Sequence, residues 1–262
     1  MYGNVPRLFL EQRERLEPKL IELGDTWDDC LKVVYHATTL NVDNAPSGSG
    51  KSEWGKEIIV WGETDAGYLG TQTVVDLLAK KDNLTLVISG GVYGKKNFTN
   101  EVGSLELYAR LYSELVMKQG YTSAIFARTI IESMSQHTGH QRIILGPLLS
   151  SLAPEKIWVV IPINHITRFV MTVGLSMHEN GSQPNIIPWP YGSWTDTHTH
   201  KAPIDNPDRK FKLQELFALP PTPSPYHEGI FYCGEIDKII QYANPSEHQC
   251  LTFRQAREWL GI

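Results

Sequence analysis

Ile157–Pro162 reads IWVVIP, apolar at every position, and two runs upstream have the same character, EIIVWG at Glu57–Gly62 and LTLVISGG at Leu84–Gly91. A strand that is apolar on both faces must be covered on both faces, which is the signature of a parallel sheet held between layers of helix. Segments with helical spacing separate these runs. They are GTQTVVDLLAKK (Gly70–Lys81), EVGSLELYARLYSELVMKQG (Glu101–Gly120, with Gly120 as its stop), about Thr138 to Leu152, and His165 to about His178. A short strand near Ser123–Phe126 and a last one in NIIPWP (Asn185–Pro190) complete the alternation. The expected fold is α/β, a doubly wound, mostly parallel sheet in a Rossmann-like three-layer sandwich.

Beyond this core the chain changes character. Leu8, Leu10, Leu16, Leu20 and Ile21 recur at near-helical spacing, and Trp27–Tyr35 continues apolar, so residues 1–56 read as N-terminal helices followed by a Gly/Ser loop. Residues 57–191 form the α/β core. Residues 192–262 hold the Pro-rich stretch PPTPSPYHEG (Pro220–Gly229) and two closing helical segments, EIDKIIQYA and TFRQAREWLGI, expected to pack on the core.

The loop APSGSGKS (Ala45–Ser52) has the look of a phosphate-binding loop, but that motif needs a strand before it and a helix after it. Here a strand follows, so the segment reads as a surface connection.

Bulk composition narrows the function classes. With 24 Lys and Arg against 29 Asp and Glu the net charge is −5, no footprint for nucleic acid. Three widely spaced cysteines make neither a disulfide framework nor a metal-ligand spacing, which fits a reducing cytoplasm. Charge interrupts the N-terminus within a few residues and no run of about 18 apolar residues follows, so a soluble protein with no membrane partner is expected.

Ligands of open parallel sheets settle at the carboxyl ends of the strands. Gly62, Gly90 and Gly91 stand at two such ends, where glycine permits close backbone approach or positive φ, although Gly-Gly after a strand also makes an ordinary turn. After the IWVVIP run, Asn164, His165 and Arg168 open a helix; His165 and Arg168, three apart, share a face beside its positive end and suit a phosphate or carboxylate, although a helix-capping His165 and an Arg168 paired with a surface carboxylate account for them as well. Asp196, His198 and His200 alternate in DTHTH and would share one side of an extended segment, but a solvated loop accounts for them as well, and no metal is expected.

In order, LVISGG, Glu101 opening a helix, ESMSQHTGHQ (Glu132–Gln141) and WVVIPINHITRF (Trp158–Phe169) resemble the successive landmarks of the YdcF-like family, which includes the SanA and ElyC envelope proteins. Glu132, Ser135, Thr138, His165 and Arg168 fall at the places of that pattern, over about Glu57–Tyr191. The chain departs from it in lacking an Arg in the first core helix and in carrying His137 and His140-Gln141 around Thr138.

The resemblance implies a Rossmann-like fold with a polar pocket, and S-adenosylmethionine as a cofactor for one branch. The expected function is binding of a nucleotide-like or phosphorylated small molecule by an enzyme. In it Arg168 clamps the anion, His165 serves as acid or base and Glu132 orients it, while Gly62, Gly90, Gly91, Glu101, Ser135, Thr138 and Asn164 bind. A non-catalytic S-adenosylmethionine-binding module, a methyltransferase and a scaffold with a Pro-rich interaction tail are the rival readings.

Overall fold

The computed structural model describes residues 5–40, 42–46, 54–62, 69–81, 84–90, 104–119, 128–135, 138–163, 165–191 and 232–262. Five strands, β1 (Glu57–Gly62), β2 (Thr85–Ser89), β3 (Thr129–Glu132), β4 (Lys156–Val160) and β5 (Asn185–Pro188), form one sheet in the order β3-β2-β1-β4-β5. All four pairings are parallel, with Gly62 opposite Ser89, Ser89 opposite Glu132, and Trp61 opposite Val160.

Eight helices flank it among the described residues: α1 (Val5–Glu22), α2 (Trp27–Thr38), α3 (Leu69–Leu78), α4 (Ser104–Gln119), α5 (Thr138–Leu152), α6 (Ile166–Glu179), α7 (Tyr232–Ala243) and α8 (Phe253–Leu260). The arrangement is a Rossmann-like α/β fold.

Side-chain alternation on the strands builds two cores. Ile58, Val60, Val87, Ile157 and Val159 meet Leu145 of α5, Phe169 of α6 and the N- and C-terminal helices. Ile59, Trp61, Leu86, Ile88 and Trp158 face the other way, onto Val74 and Val75 of α3 and Leu107 and Leu111 of α4. Covering both faces is what double-sided apolar strands require.

The helices α7 and α8 pack on the first core. Ile236 and Ile239 of α7 are fully buried there beside Leu16 and Leu20 of α1, and Trp259 of α8 lies against Gly174 of α6. Asp25, before α2, accepts hydrogen bonds from the backbone N–H groups of Phe253 and Arg254 at 2.9 and 3.0 Å and so caps α8.

Among the described residues the third strand is Thr129–Glu132; the short strand expected near Ser123–Phe126 lies outside the described residues. Three β-branched residues, Thr129, Ile130 and Ile131, pair with Leu86–Ile88. Most of the Gly/Ser segment lies outside the described residues; Gly55, which follows it, stands at the amino edge, its N–H donating to Thr85 Oγ1 at the start of β2, at 3.2 Å. That is the edge opposite to the one where parallel sheets bind ligands.

Candidate functional site

Strand order reverses at β1, whose neighbours are β2 on one side and β4 on the other, so the carboxyl ends of β1 and β4 bound the crevice where such sheets place ligands. Gly62 sits at this point for steric reasons. A Cβ there would lie 2.8 Å from Ile161 Cδ1 and 3.5 Å from the Ser89 carbonyl oxygen. The Tyr191 hydroxyl donates to the Gly62 carbonyl at 3.4 Å. Gly90 serves a different need, since its φ of +125° is one that residues with a side chain rarely adopt.

Two buried polar sets occupy the carboxyl edge. The first centres on Glu132, whose Oε1 accepts from the Met134 and Ser135 N–H groups and whose Oε2 accepts from Ser89 Oγ, each at 2.7 Å. A carboxylate accepts only, so the Ser89 proton is committed to it, and Ser89 Oγ is left to accept from Gln141 Nε2 at 3.3 Å. This chain of contacts fixes which way the Gln141 amide faces. Beside it, the hydroxyls of Ser135 and Ser104 are buried without a hydrogen-bond partner, which is uncommon and costly unless something else satisfies them.

The second set stands at the β4–α6 junction. Arg168 Nε donates to Glu235 Oε2 at 2.5 Å, Arg168 Nη2 lies 2.9 Å from His165 Nδ1, and Lys238 Nζ lies 3.3 Å from Glu235 Oε1. Glu235 comes from the first turn of α7. Burial opposes its charge, but the contact with His165 and the charges of Arg168 and Lys238 prevail and hold its carboxyl well below the usual range. Burial, and then the Arg168 charge, push the His165 imidazole down. Burial also pushes the nearby Cys250 thiol up to about 12, which rules it out as a thiolate nucleophile at neutral pH.

Glu132 and the His165–Arg168 pair are therefore not in contact. The end of β3 is three strand spacings from that of β4, about 14 Å along the edge. His165 and Arg168 do meet, and Glu132 and Ser135 meet through the Ser135 N–H. Thr138 is the first residue of α5. Gly91, Glu101, Asn164 and the Asp196/His198/His200 group lie outside the described residues. Among the described residues there is no cluster of metal-ligating side chains, and no helix is long and apolar enough to cross a membrane.

Sequence reasoning missed Ser89, Gln141 and Glu235 as members of these sets. Ser89 carried a local signal, being a hydroxyl at the carboxyl end of a strand just before Gly-Gly. Glu235 carried none, because its partner is 67 residues away.

Comparison with protein families, with curated proteins and with solved structures finds no match for this chain.

Proposed function

We propose that this chain binds an anionic small molecule, nucleotide-like or phosphorylated, in the crevice at the carboxyl edge of its doubly wound sheet. A place in the YdcF-like family is part of the proposal and rests on the order of the sequence motifs. The observation that carries it is unspent hydrogen-bonding capacity: the buried hydroxyls of Ser135, after β3, and Ser104, after β2, lack hydrogen-bond partners on the β2–β3 side of the carboxyl edge, where a bound polar ligand would supply them.

In this reading His165 and Arg168 meet the anionic end of the ligand, and His165 is the group that transfers or donates a proton. Glu132 acts by holding Ser89 and the turn before α5, a positioning role. Three donors already engage that carboxylate, and this favours the second reading, a non-catalytic S-adenosylmethionine-binding module, over a carboxylate-driven mechanism. A methyltransferase would use the same crevice.

Calorimetric titration with inorganic phosphate, a nucleoside monophosphate and S-adenosylmethionine tests the proposal, together with mass spectrometry of small molecules released from the native protein. Saturable binding of one probe, or a released passenger, is expected. Ser135→Ala should weaken that binding about fivefold, the worth of one hydrogen bond. Absence of any binding and of any passenger would remove the reading. If the ligand is turned over, His165→Ala should abolish turnover with the fold intact; binding with no chemical change over long incubation would instead favour the non-catalytic module.

A further inference from the structure

The polarity of the Glu132 set reaches one further atom, Gln141 Oε1. Ser89 spends its proton on Glu132, so the Gln141 amide offers its Nε2 to Ser89 Oγ at 3.3 Å and its oxygen points the other way. That oxygen accepts no hydrogen bond among the described residues, although Gln141 is only 9% exposed. The Ser104 and Ser135 hydroxyl oxygens are sealed from solvent; the Gln141 oxygen is not. Gln141 stands in the first turn of α5, and its Nε2 lies 3.9 Å from where a Cβ on Gly62 would be. The missing side chain at the end of β1 therefore makes room for the amide to reach the paired ends of β1 and β2, where Gly62 stands opposite Ser89. Charge in this set is negative. Glu132 takes its hydrogen bonds from Ser89 and from two backbone N–H groups, all of them neutral donors.

We infer that Gln141 is a specificity-determining residue of the proposed crevice: its Oε1, held outward by the Glu132–Ser89 relay, accepts a hydrogen bond from a hydroxyl or amino group of the ligand. A phosphate or carboxylate oxygen has no proton to offer that atom and would stand near the Glu132 charge, so this part of the edge selects against anions. The two polar sets then divide one ligand between them. Its anionic end goes to the β4–α6 junction, one strand spacing of about 5 Å beyond β1, where Arg168 supplies the guanidinium. Its donor-bearing body lies over the ends of β1 and β2. In a nucleoside monophosphate that donor is a ribose hydroxyl or the exocyclic amine of the base. The recognition role rests on the reading of the crevice as a ligand site, whereas the amide orientation rests on the hydrogen bonds alone.

Neutron diffraction from crystals of the full chain locates the hydrogen atoms. Deuterium is expected on the Gln141 nitrogen facing Ser89 and on Ser89 Oγ facing Glu132. The opposite amide orientation, or a deuterium carried by Glu132 Oε2, would overturn the inference whatever the protein binds. Calorimetry reads the recognition role. Adenosine monophosphate is titrated beside its dideoxyribose analogue and beside purine riboside monophosphate, which lacks the amine. One of these analogues is expected to bind the wild-type chain about fivefold more weakly, the worth of one neutral hydrogen bond. That penalty is expected to vanish in Gln141→Met, a change of similar shape that keeps no acceptor oxygen. A penalty at the dideoxyribose analogue assigns the donor to the ribose, and one at the other analogue assigns it to the base. Equal binding of all three nucleotides to the wild type, or a penalty that persists in Gln141→Met, would overturn the role. If Gln141→Met does not fold, Ser89→Ala takes its place: the amide is then free to turn and the penalty should shrink, and a full penalty counts equally against the role. Binding of inorganic phosphate alone would overturn it too, while leaving the anion-binding reading in place. Failure of phosphate, the nucleotide and S-adenosylmethionine all to bind would remove the proposed site and the recognition role with it, and leave the amide orientation to stand on the diffraction result.

Discussion

His165 and His36 share a physical predicament: each is buried enough that gaining a proton is costly, and burial is the leading cause that pushes both below the ordinary value of 6.5. The unfolded chain takes up protons near that value while the folded chain does not, so stability rises with pH through the window just below 6.5 and is lost on acidification. The melting temperature should therefore fall between pH 7 and pH 5.5, and the fall should shrink in His36→Asn; a flat profile would contradict the burial of both rings. Glu235 adds a second loss at lower pH, since a depressed carboxyl stabilises the fold above its unfolded value of 4.5 and stops doing so as pH falls beneath it. Glu132 makes a sharper test. Replacing it with Ala leaves the Ser89 hydroxyl and two backbone N–H groups without their acceptor, a cost of about 3 kcal/mol in chemical denaturation. Glu132→Gln preserves an acceptor for the backbone and should cost only about 1 kcal/mol, but it presents an amide NH2 donor to Ser89 and reverses the polarity that orients Gln141.

Among the elements, α5 and α6 pack closely enough to exclude a single methyl group. A Cβ on Gly146 would overlap the Ser176 side chain of α6, and at the α6–α8 contact one on Gly174 would come 2.8 Å from the Trp259 ring. Gly146→Ala and Gly174→Ala should each destabilise by roughly 1–3 kcal/mol despite the better helix propensity of alanine, because overpacking outweighs that gain. Equal or raised denaturation midpoints would refute the close contact. The strand runs were legible because Ile58–Trp61, Leu86–Ile88 and Ile157–Val160 are apolar on both faces, a pattern that an exposed loop or a one-sided strand does not produce. The third strand was not. TIIE is four residues long, sits at the sheet edge with three of its four residues only half-buried, and offers too short a window for periodicity to tell it from its surroundings. Helix positions followed from the spacing of apolar residues; the Thr252 cap of α8, whose hydroxyl accepts from the Gln255 N–H, is of the kind that spacing alone reveals.

Across the whole molecule, the parts of the site that could be read in advance are those carried by neighbours in sequence, such as His165 and Arg168 on one helical turn. The parts that could not be read are pairings between distant segments, Ser89 with Glu132 and Arg168 with Glu235, because no local spacing encodes a partner that only the tertiary fold delivers. The same distance governs the ends of the chain. Arg15 and Lys19 of α1 pair with Asp237 of α7, and Asp25 caps α8 from more than two hundred residues away. Asp25→Ala should cost about 1–2 kcal/mol, with Asp25→Asn in between, since the amide keeps an acceptor oxygen for only one of the two N–H groups. These contacts bear on how the protein is made. During synthesis the faces of α1, α2 and α6 that Ile236, Phe253 and Trp259 cover emerge well before those residues. That apolar surface stays uncovered until α7 and α8 have been made.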